Sequence, residues 1–400
     1  MTPATVIIGD HTQGLGILRS AAAAGGDVWV VNDKHVSLAR CSKHLSGYRR
    51  VPHGTLRLLH RPEVADALLA VLLDLPVARP ALLCGVDEDI VRFIHRHAAQ
   101  LSERYFVPDV RFDRIYDKYA FNALLPEPAR IDTRLCSGTE LDTLNRPDRF
   151  ILKGRQGIAF KQVTGQKAIR VDRLTPQIRE RLFSRLDSSQ ILVQEIVETD
   201  RPVTSLCSFS VDGRMSGAFA YEKLRQHPAD FGTGTYLRSV PADGLRTVAS
   251  AILAETRFTG ISEIEFVFDR RDGRGKVIEM NPRTWKSIHF ATQCGQNLVA
   301  RYLAYLAGGG TTADDGYARG RYWADLATDI PQLVRNRAMP RYARGLFECT
   351  WDRTDRWPAL ALWTLFPLIA LENGLASMAA ARGGSAVAAG PATAAGSSLR

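Results

Sequence analysis

Hydrophobic and polar positions divide the chain into stretches of different period. TVIIGD (5–10) and VWVVND (28–33) are short apolar runs ending in Asp, and GILRSAAAAGG between them has the composition of a helix. ALLCGVDEDIVRFIHRHAAQL (81–101) repeats the order of strand then helix. Apolar strands separated by helices predict an open parallel sheet, here over residues 1–110. From 111 to 190 the pattern becomes helical in RIYDKYAFNALL, extended in RFILK (149–153), Gly-containing, then helical again. From 191 strands dominate: ILVQEIV, SLCSFSV, GAFAYEK, SEIEFVFD and KVIEMN. RRDGRG (270–275) joins the last two with an Asp-Gly and a second Gly, the signature of a hairpin with a longer loop. No repeat of solenoid period is present. The last twenty residues, ARGGSAVAAGPATAAGSSLR, are low-complexity and are expected to be disordered. The fold class expected is mixed α/β and α+β, with units at 1–110, 111–190, 191–325, a helical extension at 326–380 and a tail at 381–400.

Composition narrows the function classes. With 400 residues, 45% of them hydrophobic and 24% charged, the chain can bury two or three cores. Its formal net charge of +10 favours anionic partners: nucleic acid, anionic lipid or nucleotides. No block of Lys/Arg, zinc-finger spacing or aromatic RNA motif is present, so nucleic acid is not the expected partner. Six cysteines at 41, 84, 136, 207, 294 and 349 form no CxxC pair, which suits free thiols in a reducing compartment. The N-terminus lacks a basic n-region and no apolar run reaches a membrane span, so a cytoplasmic protein is expected.

The richest chemistry sits in VIEMNPRTW (277–285) and its partner strand. Strand parity groups Glu263, Glu265 and Val267 on one face and Ile264, Phe266 and Phe268 on the other. In the return strand Val277, Glu279 and Asn281 share a face by the same rule. If the acidic faces align, Glu265, Glu279 and Asn281 offer three hard oxygen donors, a set suited to Mg²⁺ when phosphates complete the shell. Pro282 keeps Asn281 extended and ends the ladder, and Arg283 then stands beside the donors with a fork suited to phosphate.

Other signals are weaker alone. Lys153 ends a strand before a Gly-containing stretch, FILKGRQGIAFKQVTG, which is not a Walker A loop. Gln194 and Glu195 interrupt an apolar strand where free backbone could read an adenine edge. Gly9, Gly14 and Gly16 do not complete G-x-G-x-x-G, and a tight strand–helix turn needs glycine in any case, so neither they nor Asp33 is assigned a ligand. His95 and His97 lie two apart and are read as surface residues; His289 is near the acidic motif without a role. No Ser/His/Asp or Cys/His nucleophile signature is visible.

Taken in order, the lysine-bearing strand, the Gln-Glu hinge and Glu…Glu-x-Asn-Pro-Arg resemble the ATP-grasp superfamily, in particular its carboxylate–amine ligase branch. The resemblance covers residues 5–310 and includes DKYAFNALL (117–125) and EKLRQHPADFGTGTY (222–236). It implies a Rossmann-like pre-ATP-grasp domain followed by two subdomains that clasp ATP. By that resemblance Lys118 and Lys153 contact phosphates or adenine, and Lys161 serves a lid whose glycines are mostly replaced by Ile158, Ala159 and Phe160. Gln194, Glu195 and the backbone near Val197 bind adenine and ribose, and Glu265, Glu279 and Asn281 hold Mg²⁺ or Mn²⁺. Arg283 steadies the transferred phosphate, with Lys223 and Arg225 as further anion contacts. The implied chemistry is ADP-forming ligation of a small-molecule carboxylate to an amine through an acyl phosphate. A carboxylase-type enzyme and a catalytically inactive ATP-binding module are the alternatives, and a homodimer stays open. WPALALWTLFPLIAL (357–371), too short to span a bilayer, is read as a helix packed on the core or on a second subunit, with peripheral attachment to the inner face of an anionic membrane as the alternative.

Overall fold

The computed structural model describes residues 2–78, 80–107, 112–311, 316–365 and 367–368. Five parallel strands open the chain: β1 (Thr5–Ile8), β2 (Val28–Asn32), β3 (Gly47–Arg50), β4 (Ala81–Gly85) and β5 (Tyr105–Phe106). Their order is β3-β2-β1-β4-β5, so the winding reverses between β1 and β4. In such sheets the crevice outside the carboxyl ends at the reversal is where ligands collect. The turns after β1 and β4 reach it. Gly9 takes a left-handed φ of 99°, and a Cβ on Gly14 would fall 2.8 Å from the Gly9 carbonyl oxygen, so the glycines serve the turn itself.

The helix Thr12–Ala22 is buried from Gln13 to Ala21. Gly16 lets it approach Ile288–Gln293, since a Cβ there would come within 3.0 Å of Ile288. Gln13 donates to both the carbonyl and hydroxyl oxygens of Thr284, at 2.8 and 2.9 Å. Arg19 donates from Nε to Asp355 Oδ2 at 2.9 Å and from Nη2 to the Thr350 and Asp355 carbonyls at 2.7 and 2.8 Å. The first domain is thereby riveted to the strand-end turn at 282–286 and to the turn at 350–355.

The second sheet is small and antiparallel: β6 (Thr133–Leu135), β7 (Phe150–Gly154), β8 (Ala168–Arg170) and β9 (Ile191–Glu195), in the order β6-β9-β7-β8. Leu152, Phe160, Leu182, Ile191 and Val193 form its core under the helices Gly157–Thr164 and Pro176–Arg185. The division placed at residue 190 is one strand early, because β9 pairs with β7 from Ile191 to Glu195. An apolar run before a hinge reads the same whichever sheet it completes.

The third sheet carries β10 (Thr204–Val211), β11 (Arg214–His227), β12 (Thr233–Val240), β13 (Gly260–Phe268), β14 (Gly275–Asn281), β15 (Tyr322–Ala324) and β16 (Phe347–Glu348). Their order is β14-β13-β10-β11-β12-β15-β16, antiparallel except for the last pair. The extension beyond 325 therefore contributes a strand to this sheet as well as helices. Helix Asp243–Thr256 covers one face through Ala249, Ile252 and Leu253 against Ile264, Phe266 and Met280. Alternation then forces Glu263 and Glu265 to the opposite face. The six cysteines are free thiols. His95 and His97 are half-buried rather than on the surface: His95 stacks 3.4 Å from Phe112 and His97 packs 4.8 Å from Phe93, because both flank the end of a helix that docks on its neighbours. Among the described residues no helix is long and apolar enough to cross a membrane. The tail at 381–400 and the end of 357–371 lie outside the described residues.

The Arg19–Asp355 pair is almost fully buried, with 3% and 0% of the side chains exposed. Breaking one partner leaves an uncompensated buried charge, a loss of about 3–5 kcal/mol. Arg19→Met is expected to lower unfolding stability by about that much in a denaturant titration.

Candidate active site

Hairpin register decides which side chains meet. Glu265 stands opposite Glu279, and Glu263 opposite Asn281. Between Glu265 and Phe266 the ladder slips by one residue, leaving Ile278 as the extra residue of a bulge. This corrects the parity reading of Val277: it pairs with Phe266 and is buried in the core with Ile264 and Met280. Without the bulge, Val277 would sit among the carboxylates. Ile278 instead packs towards Val267, Ile131 and Val197.

Two lysines from different elements close on the carboxylates. Lys118 Nζ donates to Glu279 Oε2 at 2.9 Å. Lys118 opens the helix Lys118–Leu124, which Asp117 caps, and Asp117 in turn accepts from Arg155 Nε at 2.7 Å. Lys223 Nζ donates to Glu265 Oε1 at 2.7 Å from β11, reaching across β10. The intervening β10 residues on that row are Ser205 and Cys207, small enough to leave the path open. Tyr221 donates to Glu263 by the same route. Asn281 Nδ2 donates to Glu263 Oε2 at 3.1 Å and to Glu279 Oε1 at 3.4 Å. That bonding turns the carboxamide oxygen outward, where Arg283 Nη2 reaches it at 3.4 Å. Arg283 Nη1 also donates to the Thr284 carbonyl at 2.9 Å, while its buried Nε has no partner among the described residues.

Magnitudes show why cations are needed here. Directly opposed residues have Cβ atoms about 5 Å apart, and two full charges at that separation repel by roughly 3 kcal/mol at an effective dielectric of about 20. Burial raises the Glu265 pKa; Lys223 opposes that rise, while Glu263 and Glu279 add to it. The Lys118 ammonium holds Glu279 well below the usual carboxylate range in spite of burial. Burial works against the charge on Lys118 and Lys223, yet their carboxylate partners win and both are raised. Lys153, buried at the end of β7 beside Lys118, has no bonded carboxylate among the described residues; burial and Lys118 push it down to about 7.

The remaining expected residues are placed less uniformly. Gln194 is buried and donates to Thr133 Oγ1 at 2.6 Å. Glu195 accepts from Arg271 at 2.8 and 3.3 Å. Val197 is buried next to Val267. Arg225 does not join the carboxylates: a shift of register after Lys223 turns it to Asp329, which accepts at 2.7–3.1 Å, and its guanidinium lies 4.2 Å from the Tyr236 ring. His289 bonds Ser20 and Asp352, outside the cluster. The expected Gly-containing lid is instead the helix Gly157–Thr164, anchored by the fully buried Phe160, with Lys161 on its exposed side. Gly154 makes the tight entry, since a Cβ there would lie 2.4 Å from the Gln156 carbonyl oxygen. Glu263 and Tyr221 were not assigned from the sequence. Glu263 shares the parity of Glu265, which was the available signal.

Among the described residues no three His, Cys, Asp or Glu side chains gather as a metal cage. The face offers two carboxylates and one carboxamide oxygen, which fits a hard cation that keeps most of its shell for phosphate or water. Lysine ammonium groups already show that this face takes positive charge.

Lys153 supplies a measurable signature. Its carbon-13 side-chain resonance is expected to titrate near 7 in the free protein. Glu279→Gln removes a charge that raises Lys153, so the midpoint should move lower. Bound polyphosphate adds negative charge and should move it higher, with proton uptake on binding between that midpoint and the ordinary lysine range of about 10.4.

Comparison with known proteins agrees with this architecture. No protein-family model matches the chain. D-aspartate ligase from Enterococcus faecium (strain Aus0004) is 24% identical over 242 residues, which is 56% of this chain and 57% of that protein. The chain thus spans little more than half the length of that relative. N5-carboxyaminoimidazole synthetase from Staphylococcus aureus superposes with a TM-score of 0.59 at 14% identity, covering 84% of this chain and 85% of that one. L-amino acid ligase from Bacillus licheniformis gives 0.55 at 15% identity over 75% and 73%. Biotin carboxylase from Campylobacter jejuni gives 0.60 at 12% over 80% and 74%. The chain shares the fold of these solved structures, an ATP-grasp fold behind a Rossmann-like first domain.

Proposed function

We propose that the protein is an ATP-dependent ligase that joins a small-molecule carboxylate to an amine, releasing ADP and phosphate. The observation that carries this reading is the meeting of Glu265, Glu279 and Asn281 with lysines from three elements: Lys118 opening a helix, Lys153 at the end of β7 and Lys223 on β11. Such a face can take a polyphosphate with its counter-ion. The D-aspartate ligase and L-amino acid ligase relatives support an amide-forming reaction.

Glu265, Glu279 and Asn281 would hold Mg²⁺, or Mn²⁺ in its place. The bound ion would neutralise charge on the phosphoryl oxygens. Lys118 and Lys153 bind phosphate oxygens, with Lys161 on the exposed side of the helix Gly157–Thr164. Gln194, the backbone near Val197 and Glu195 line the adenine and ribose side; Glu195 reaches a ribose by releasing Arg271. A carboxylate oxygen of the acid attacks the γ-phosphorus and ADP leaves. The amine then attacks the acyl carbon, the C–O bond to phosphate breaks, and the amine proton is lost as the amide forms. Arg283, with its unpartnered Nε, steadies the acyl phosphate, and Lys223 fixes Glu265. Arg225, committed to Asp329, is given no part.

A panel of acids and amines, bicarbonate among them, read by phosphate release and product mass, tests the reading. An acid–amine pair should give ADP, phosphate and an amide; ADP release with bicarbonate alone would favour a carboxylase, and no release with any pair would favour a binding module. Glu279→Gln should cut turnover by about 10²–10³-fold with the melting temperature retained. Glu263→Gln, which loosens the Asn281 carboxamide without removing a donor, should raise the Mg²⁺ concentration for half-maximal rate by about 10–100-fold.

A further inference from the structure

The helix at 357–365 is apolar on two faces, and the described residues cover only one of them. Pro358, Ala359 and Leu362 are buried against the protein. On the other side Trp357, Leu360, Trp363 and Leu368 are 65%, 48%, 56% and 53% exposed, and Trp351 beside them is 45% exposed. A helix that is apolar all round is normally covered, and a contiguous exposed patch of large apolar side chains marks an interaction surface.

The charges around the patch say what covers it. Between residues 326 and 368 there are four acids, and each is committed inside the fold. Asp329 holds Arg225, Glu348 accepts from Thr350 and Trp351, Asp352 holds His289, and Asp355 holds Arg19. The six arginines of the same stretch are treated differently. Arg335, Arg337, Arg341, Arg344, Arg353 and Arg356 are exposed and make no ion pair among the described residues. Arg353 and Arg356 line one shallow recess together with Lys43, Trp357 and Leu360, and Arg356 lies 5.9 Å over the Trp351 ring. Tryptophan and arginine at one surface are the pair that suits a membrane interface, where indole rings settle at headgroup level and guanidinium groups meet anionic lipid. A second copy fits less well, because a two-fold contact sets the same patch on both sides and would bring the unpaired arginines together.

We propose that Trp351, Trp357, Leu360, Trp363 and Leu368 form a docking surface for an anionic lipid bilayer, with the indole rings at the headgroup layer and Arg353 and Arg356 on lipid phosphates. The protein then rests on the membrane without crossing it. Two signals acting together, apolar burial and a basic rim, are what reversible attachment requires.

The test is flotation of the full chain with vesicles of phosphatidylcholine alone or with about 30 mol% phosphatidylglycerol added. The protein should float with the anionic vesicles only, and about 1 M salt, where the Debye length is about 3 Å, should release it. Trp357→Ser with Trp363→Ser should weaken binding by at least about tenfold while the melting temperature is kept. Arg353→Ala with Arg356→Ala should weaken binding without touching the apolar face, which separates lipid contact from a folding defect. Failure to float with anionic vesicles overturns the proposal, as does flotation unchanged in both variants. A native dimer whose mass halves in the tryptophan variant would give the face to a second copy. Binding that appears only after removal of residues 369–400 would give it to that segment. The readout is independent of catalysis, so its failure leaves the ligase reading standing.

Discussion

Two carboxylates facing each other across one rung of a hairpin set the terms for this molecule. Glu265 and Glu279 cannot both stay charged and partly buried without cations between or beside them. Lys118 and Lys223 meet that demand, and they come from opposite directions. Lys118 belongs to the segment leading into the small sheet, while Lys223 belongs to the large sheet itself. The electrostatic need of the hairpin therefore draws two structural units onto one cleft. On the proposed function, a counter-ion brought in with a nucleotide would take over charge compensation at Glu279 and free Lys118 for phosphate, while Lys223 stays on Glu265.

The first domain matters through the turns it presents. Reversal of winding between β1 and β4 opens a crevice at their carboxyl ends, and the Gln13–Thr284 bonds hold that crevice against the residues just past Asn281. Arg283 thus sits between the hairpin and the first domain. Burial of Gln13 and of the Arg19–Asp355 pair makes this docking rigid; on the proposed function that rigidity would hold an acid substrate near the phosphate. His11 caps the helix at the crevice, its Nδ1 accepting from the Gln13 N–H at 3.1 Å.

Much of this was legible in the chain, and the exceptions have physical causes. Alternation in SEIEFVFD predicted the acidic face, and Asp-Gly in RRDGRG predicted the hairpin; both are present. Alternation failed at Val277 because a one-residue bulge at Ile278 reverses parity, and nothing in VIE announces a bulge. Gly154 and Gly157 after Lys153 suggest a loop, but Phe160 and Val163 give 157–164 an apolar side that packs, so helix wins. Arg225 follows Lys223 at the same parity yet points to Asp329, again through a register shift. Glu263 was visible on the acidic face, but its bond to Asn281 depends on a cross-strand register that one strand's sequence does not contain.

The fate of a carboxylate oxygen tests the account most directly. The acid substrate, labelled with heavy oxygen in its carboxylate, is turned over with ATP and amine. Activation as an acyl phosphate predicts one labelled oxygen in each inorganic phosphate released, with ADP formed in equal amount. Phosphate free of label, or ADP formed at the same rate without the acid, would contradict it.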